Sequence, residues 1–342
     1  MNRLGLVLAG GGGKGSYQIG VWKAFREFGF DKYIYAISGT SVGALNACLI
    51  YQNDYEKAEK IWLNEVQDKI LSFDAESIVK SISRILIPLG IPMTRIIALA
   101  GVIASSGIFS RDGLLSIIDK YLDFDYLLNT DDPLYAACLA VENFNVHYFS
   151  INKSERDRIR KILLATSAIP FVFDKEVIDG TTYIDGGIPI VGDNIPIRPL
   201  YNLGCNMVVV VHLSKESIIK REEFPNLKII EIVPQEDLGG LIKGTLNFSS
   251  SAMSSHIEQG YNDAKRILKP VFDMAATQFE LLRSIKKMYI DEQEYKHKMK
   301  LIKEERHNIK NDIQKIAIEN NIKINYTDDI KKLNNNNNKN IK

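Results

Sequence analysis

"ISGTSVGALNACLI", residues 37–50, sets Ser41 between Gly39 and Gly43, where a short β-branched run gives way to an alanine- and leucine-rich one. Strand formers before, helix formers after and glycine on both sides of one serine describe a chain that turns too sharply to leave room for Cβ atoms. Strand, tight turn and helix together make an α/β unit. The serine itself has two readings. In a nucleophile elbow it is the exposed reactive group; as a plain N-cap ahead of an ordinary helix it needs no chemistry at all. Taken alone, the stretch weighs the two evenly.

Outward from this unit the same rhythm continues. "RLGLVLA", "YIYAIS", "PLYAACLAVEN", "VHYFSI", "TTYID", "NMVVVVHL" and "LKIIEIV" read as strands separated by helical patterns through residue 270. That alternation predicts an α/β layered sheet. The almost unbroken apolar run from Met207 to Val211 suits a central strand covered on both faces. Residues 52–130 lack the strand rhythm and are expected to form a mostly helical insertion. From Val271 onward there is neither Gly nor Pro. Leu281, Ile285, Met288, Tyr295, Met299, Ile302, Ile309, Ile313 and Ile316 keep a seven-residue rhythm interrupted by Glu292 and Arg306. This tail reads as a long amphipathic helix, either folded back on the body or pairing as a homodimer arm, and the Asn-rich end beyond Asn325 as disordered.

Composition removes several classes of function. The 342 residues are 45% hydrophobic and 25% charged with a formal net charge of +1, which gives no electrostatic reason to expect nucleic acid as a partner. Three cysteines, Cys48, Cys138 and Cys205, stand far apart with no C-x-x-C pair, against a disulfide framework or a cysteine metal site. The apolar run Leu4 to Ala9 is too short for a signal-peptide core and reads as a buried first strand. Residues 85–109 are the longest apolar region, but Pro88, Pro92 and Arg95 cut them into pieces shorter than the ~20 residues a spanning helix needs. With neither a signal peptide nor a transmembrane helix, the expected location is cytoplasmic, with transient contact at a membrane surface.

An acyl-transfer serine needs donors for a developing oxyanion and a base. The donors lie in "LVLAGGGGKGSYQIGVWKAF", a strand, a loop of four glycines with Lys14, and a helix whose Val21, Trp22, Phe25 and Phe28 share a face. Such a loop lets backbone N–H groups converge on an anion, and Lys14 either adds long-range stabilisation or is simply solvated. The loop is not Walker A, because Leu8 and Gly15 occupy the positions of the first glycine and the hydroxyl. It is not a Rossmann fingerprint either, because the second strand closes into "SGTSVG" rather than an acidic residue. Two residues compete as base. His212 ends the central-strand run "NMVVVVHLS", and Asp185 ends "TTYID" ahead of Gly186 and Gly187.

Gly10 to Gly15, Gly39-Thr40-Ser41-Val42-Gly43 and Asp185-Gly186-Gly187, in that order, resemble the patatin-like phospholipase family. The likeness extends through "SSGIFSRDGLLSIIDKYL", "ATSAIPFVFDKEVIDGTTYIDGG", "DNIPIRPLYNLGCNMVVVVHLS" and "GYNDAKRIL", and so covers residues 1 to about 269. The resemblance implies a three-layer α/β fold with a mainly parallel central sheet flanked by helices. It implies a catalytic domain at 1–270; the helical cap insertion at about 52–130 and the helical tail at 271–342, the latter outside the resemblance, are read from the sequence pattern. It implies a serine–aspartate dyad, Ser41 as nucleophile and Asp185 as base, with an oxyanion hole from Gly11, Gly12, Gly13 and Val42. Lys14, Gly39, Gly43 and Gly186 would support the site, and neither cofactor nor metal is required. The activity implied is hydrolysis of fatty-acyl esters in phospholipids or lysophospholipids. Two alternatives keep the same residues: a non-catalytic lipid-binding or membrane-docking protein, and a non-specific esterase or acyltransferase.

Overall fold

The computed structural model describes residues 3–66, 111–169, 173–240, 244–245 and 247–321. The apolar stretch 85–109 and the Asn-rich end lie outside these residues. The chain divides into two compact units, Met1–Phe272 and Asp273–Lys342.

The first unit is built on an eight-stranded sheet. Its strands are β1 (Leu4–Leu8), β2 (Ile34–Thr40), β3 (Leu134–Ala140), β4 (Val146–Ser150), β5 (Glu176–Ile178), β6 (Thr181–Asp185), β7 (Met207–Val211) and β8 (Lys228–Ile232). They run in the order β5-β6-β3-β2-β1-β7-β8, with β4 also paired to β3. The stretch β3-β2-β1-β7-β8 is parallel throughout, whereas β4 and β6 meet β3 antiparallel and β5 meets β6 antiparallel. β5 is three residues long and has no alternation from which to be read.

The central strands are apolar because both faces are covered. Leu4, Leu6 and Leu8 of β1 and Val209 and Val211 of β7 enter the larger core, while Val7, Val208 and Val210 enter a smaller one behind the sheet. Side chains of period 2 thus feed two cores, which is the three-layer arrangement. Helices α1 (Ser16–Glu27), α2 (Val42–Tyr51) and α6 (Arg156–Thr166) supply the larger core, where Trp22, Phe25, Cys48 and Leu163 are all buried. Helix α7 (Arg198–Asn202) caps the smaller core through Leu200. Of the helical insertion, α3 (Tyr55–Lys60), a π-helical turn (Ile61–Glu65), α4 (Arg111–Tyr121) and α5 (Phe124–Leu128) are described. Helix α8 (Ser250–Glu319) begins earlier than its heptad rhythm and continues through Pro270. Among the described residues, no helix is long and apolar enough to cross a membrane.

The first turns of α8 pack backbone-close on α1. A Cβ at Gly20 would overlap the carbonyl of Ile257, and one at Gly260 would overlap the carbonyl of Tyr17, so two glycines face each other where the helices cross. The approach is fastened by Tyr17, whose hydroxyl donates to Asp263 Oδ2 at 3.0 Å. Gly20→Ala should force the helices apart at a cost of about 1–3 kcal/mol. Gly29→Ala, with nothing within 4 Å of its Cβ but a φ of 65°, carries only backbone strain. A thermal melt should place Gly20→Ala several degrees below wild type; an unchanged melting temperature would contradict the close crossing.

Candidate active site

One edge of β3 organises the site. β4 lies along Tyr135–Leu139 and occupies the first edge. The second edge is shared in succession: β2 pairs with Leu134 to Ala137, ending at Thr40, and β6 pairs with Cys138 to Ala140, its Asp185 opposite Cys138. β2 runs parallel to β3 and β6 antiparallel, so their carboxyl ends meet head-on at the Ala137–Cys138 step. Ser41 follows Thr40 directly. Two residues 144 positions apart in sequence are thereby brought to one point by backbone pairing alone.

At that point β2 turns into α2. Ser41 has φ 56° and ψ −127°, a conformation that costs an L-residue on the order of 1–3 kcal/mol and persists only where the surroundings impose it. The surroundings are the glycines. A Cβ at Gly39 would strike the backbone of Gly43, and a Cβ at Gly43 would strike the carbonyl of Leu8 in β1. The Ser41 N–H donates to Thr166 Oγ1 at 2.9 Å, and that hydroxyl donates to the Ala137 carbonyl at 2.6 Å, tying the turn to β3. Val42 is the first residue of α2, so its N–H has no carbonyl within the helix.

Asp185 is buried, 6% exposed, beside this turn. Burial pushes its carboxyl up to about 6, against the pull of a hydrogen bond from the Gly187 N–H and of hydrogen bonding with the Ser41 side chain. The Gly187 N–H lies 2.7 Å from Asp185 Oδ1. The strap that follows binds both halves of the site: the Asn194 carbonyl accepts from the Gly10 N–H, and the Asn194 side-chain amide donates to the Gly10 carbonyl, each at 3.2 Å. Asp193 accepts from Tyr148 at 2.6 Å through its carboxylate and from Thr40 Oγ1 at 2.8 Å through its carbonyl.

The glycine loop enters a 3₁₀ turn, Gly12–Gly15, whose first N–H groups likewise lack partners within the turn. It is held from below by amides. Gln18 Nε2 donates to the Ala9 carbonyl at 2.8 Å; Asn46 Nδ2 donates to the Gly15 carbonyl at 2.9 Å and to Gln18 Oε1 at 2.8 Å; Trp62 Nε1 donates to Asn46 Oδ1 at 2.9 Å. All three polar side chains are buried, and their mutual satisfaction makes the network rigid rather than costly. Lys14 is half-buried; burial lowers its pKa, and Asp237 and Glu216 oppose the shift.

Beside Val42 opens a cleft between α2, the π-helical turn and α4, walled by Leu45, Leu49, Trp62, Ile117 and Phe248. Asn46 lines it too, but its amide is spent on the network above. Of the sequence-derived site residues, the structure brings Ser41, Asp185, Gly186 and the loop around Gly10 together. It keeps His212 apart: that residue follows β7, two strands from β2 and so about 10 Å away. Its Nε2 lies 2.9 Å from Glu231 Oε2, and burial lowers its pKa. Thr166, Asn194, Gln18 and Asn46 were not singled out in the sequence. A lone asparagine within the apolar run "ALNACLIY" was the signal for one of them. Among the described residues no group of three His, Cys, Asp or Glu side chains is placed to hold a metal ion.

The neuropathy target esterase sws of Drosophila melanogaster is 26% identical over 218 residues, which cover 63% of this chain and 13% of that protein. The chain therefore matches a small part of that relative's length. Among solved structures, VipD from Legionella pneumophila is similar with a TM-score of 0.49 at 14% identity, over 79% of this chain and 67% of that one. Human GIVD cytosolic phospholipase A2 is similar with a TM-score of 0.43 at 10% identity, over 81% of this chain and 58% of that one. The model of the patatin-like phospholipase family matches residues 6–201, more than half of the sequence. That span takes in the glycine loop, the Ser41 turn and the Asp185 turn, and the chain belongs to the patatin-like phospholipase family.

Proposed function

We propose that the protein hydrolyses fatty-acyl esters of phospholipids or lysophospholipids through an acyl-Ser41 intermediate, with Asp185 as the general base. Family membership supports the broad class, a lipid ester hydrolase. The observation that carries the finer reading is the buried Asp185 carboxylate, with a pKa near 6, within hydrogen-bonding reach of the strained Ser41 hydroxyl. A carboxylate of ordinary pKa, ~3.9, is a poor acceptor for a serine proton. Raising it to about 6 brings it closer to the working pH and strengthens it as a base.

In the first step Ser41 Oγ bonds to the ester carbonyl carbon as its proton passes to Asp185. The carbonyl oxygen becomes an oxyanion received by the N–H groups of Val42 and of Gly11, Gly12 and Gly13, each such donor worth a factor of ~100 or more in rate. Collapse breaks the ester bond, and the leaving alkoxide takes the proton back from Asp185. Water then bonds to the acyl carbon as its proton passes to Asp185; the bond from that carbon to Ser41 Oγ breaks, Oγ takes the proton back from Asp185, and the fatty acid leaves. The apolar cleft beside Val42 suits an acyl chain, since its described walls offer mainly hydrocarbon and the Asn46 amide there is already hydrogen-bonded.

Ser41→Ala should abolish turnover of a phospholipid substrate while leaving the melting temperature within a few degrees of wild type, and a fluorophosphonate probe should label wild type alone. Labelling that persists in Ser41→Ala, or activity that survives, would refute the nucleophile.

The carboxyl titrates with a sign that can be checked. Its folded pKa of about 6 lies above the unfolded value, so kcat/KM should rise with pH through about 6 as the base form appears. The folded state loses stability over the same window, between the unfolded carboxylate value and 6, because above it a charge is held in a dry site. Asp185→Asn removes that charge. It should be inactive yet more stable than wild type at pH 8, by roughly 2–3 kcal/mol at most, and no more stable at pH 3.5. Equal stability at both pH values would argue that the carboxylate is solvated.

A further inference from the structure

The second unit presents an unused surface with a definite pattern. Every seventh residue from Met274 to Ile316 is apolar, and the companion positions of the seam hold Ile285, Met299 and Ile313. Met274, Met288, Tyr295 and Ile316 are each exposed by more than half. The pattern persists for six heptads, beyond the three or four that distinguish a coiled coil from an ordinary amphipathic helix. A helix of this length extends about 70 Å, with an apolar stripe along one face.

Two charges break the stripe at equivalent heptad positions: Glu292 and Arg306. They stand seven residues to either side of Met299, opposite in sign. From this symmetry we propose that the helix from Asp273 to Glu319 pairs antiparallel with the same helix of a second copy, crossing near Met299. Antiparallel pairing sets Glu292 beside the partner's Arg306 and Arg306 beside the partner's Glu292, so both seam charges are neutralised. Parallel pairing in register stacks glutamate on glutamate and arginine on arginine at the same two layers.

The flanking charges divide. Antiparallel pairing brings Lys298 to the partner's Glu305 but also Lys296 towards the partner's Lys303 and Asp291 towards the partner's Asp312, while parallel pairing favours Asp291 with the partner's Lys296. These flanks remain in water, where a pair contributes little. A charge in the seam is desolvated on pairing, and an unmatched one there is far costlier. The seam therefore decides the direction. Glu292 already holds Lys296 of its own helix at 2.7 Å, so in the pair its carboxylate lies between two cations.

Sedimentation velocity of the full chain over a micromolar concentration range tests this. Wild type should approach twice the chain mass of 38.6 kDa. Glu292→Arg should raise the dimer Kd roughly tenfold or more, because it faces the partner's Arg306 twice, and Glu292→Arg combined with Arg306→Glu should restore it. In a parallel seam neither variant changes the balance of like charges. A chain that stays monomeric at every concentration, forms a larger assembly, or binds anionic vesicles through this helix as a monomer overturns the proposal. So does a dimer indifferent to the single reversal. Recovery in the double variant separates charge pairing from a folding defect in the single one, and none of these readings depends on the activity of Ser41.

Discussion

The site depends on how one strand divides its edge. β3 gives its first half to β2 and its second half to β6, and the two guests run in opposite directions. A parallel sheet alone would carry the ends of neighbouring strands side by side, a strand spacing apart. Here two strand ends face each other along a single edge, so Thr40-Ser41 and Asp185-Gly186 come together through main-chain hydrogen bonds. Gly186 is squeezed against the Ala137 carbonyl at the same step. Placement of the two side chains is thus set by register, which admits no gradual error: a slip of one residue would send Asp185 to the opposite face.

That placement has an electrostatic consequence. At the junction Asp185 is covered by β3, by the Ser41 turn and by the strap through Asn194, and Cys138 opposite it is fully buried, its thiol held protonated by desolvation and by the Asp185 charge. No cation is within the interactions that set the Asp185 pKa; desolvation dominates, and only hydrogen bonds from Gly187 and Ser41 oppose it. The histidine that the sequence offered, His212, is committed to Glu231 beyond β7, where a 0% exposed ring links two strands.

The sequence disclosed the parts whose signal is local. Runs such as "NMVVVVHL" announce central strands through hydrophobicity, and the glycines around Ser41 announce a turn through the space they vacate. A central sheet flanked by helices, with a long C-terminal helix, followed from those runs. What stayed hidden is relational. The three residues of β5 carry no period, and nothing in "VHYFSI" or "TTYID" says that each will pair antiparallel with β3. Thr166 is one threonine among many at the end of an amphipathic helix, yet it joins the Ser41 N–H to the Ala137 carbonyl. Gln18 and Asn46 were legible only as polar residues in segments otherwise fit for burial, a hint that buried amides serve some backbone group but not which.

Those hidden residues explain how the visible ones are tolerated. The strained Ser41 turn and the desolvated Asp185 each raise the energy of the folded state by an amount that would be large beside the stability of an ordinary domain. Neither relaxes, because each escape is blocked by something rigid. Unwinding the Ser41 turn would break the Thr166 bridge and drive α2 against β1 at Gly43. Swinging Asp185 outward would forfeit the hydrogen bond from the Gly187 N–H. The glycine loop in turn is pinned at both ends, because Gln18 holds the Ala9 carbonyl, Asn46 holds the Gly15 carbonyl, and Trp62 fixes Asn46. The Ser41 turn and the buried Asp185 carboxyl persist together because the Thr166 bridge, the Gly187 N–H and the amides of Gln18, Asn46 and Asn194 hold the segments around them in place.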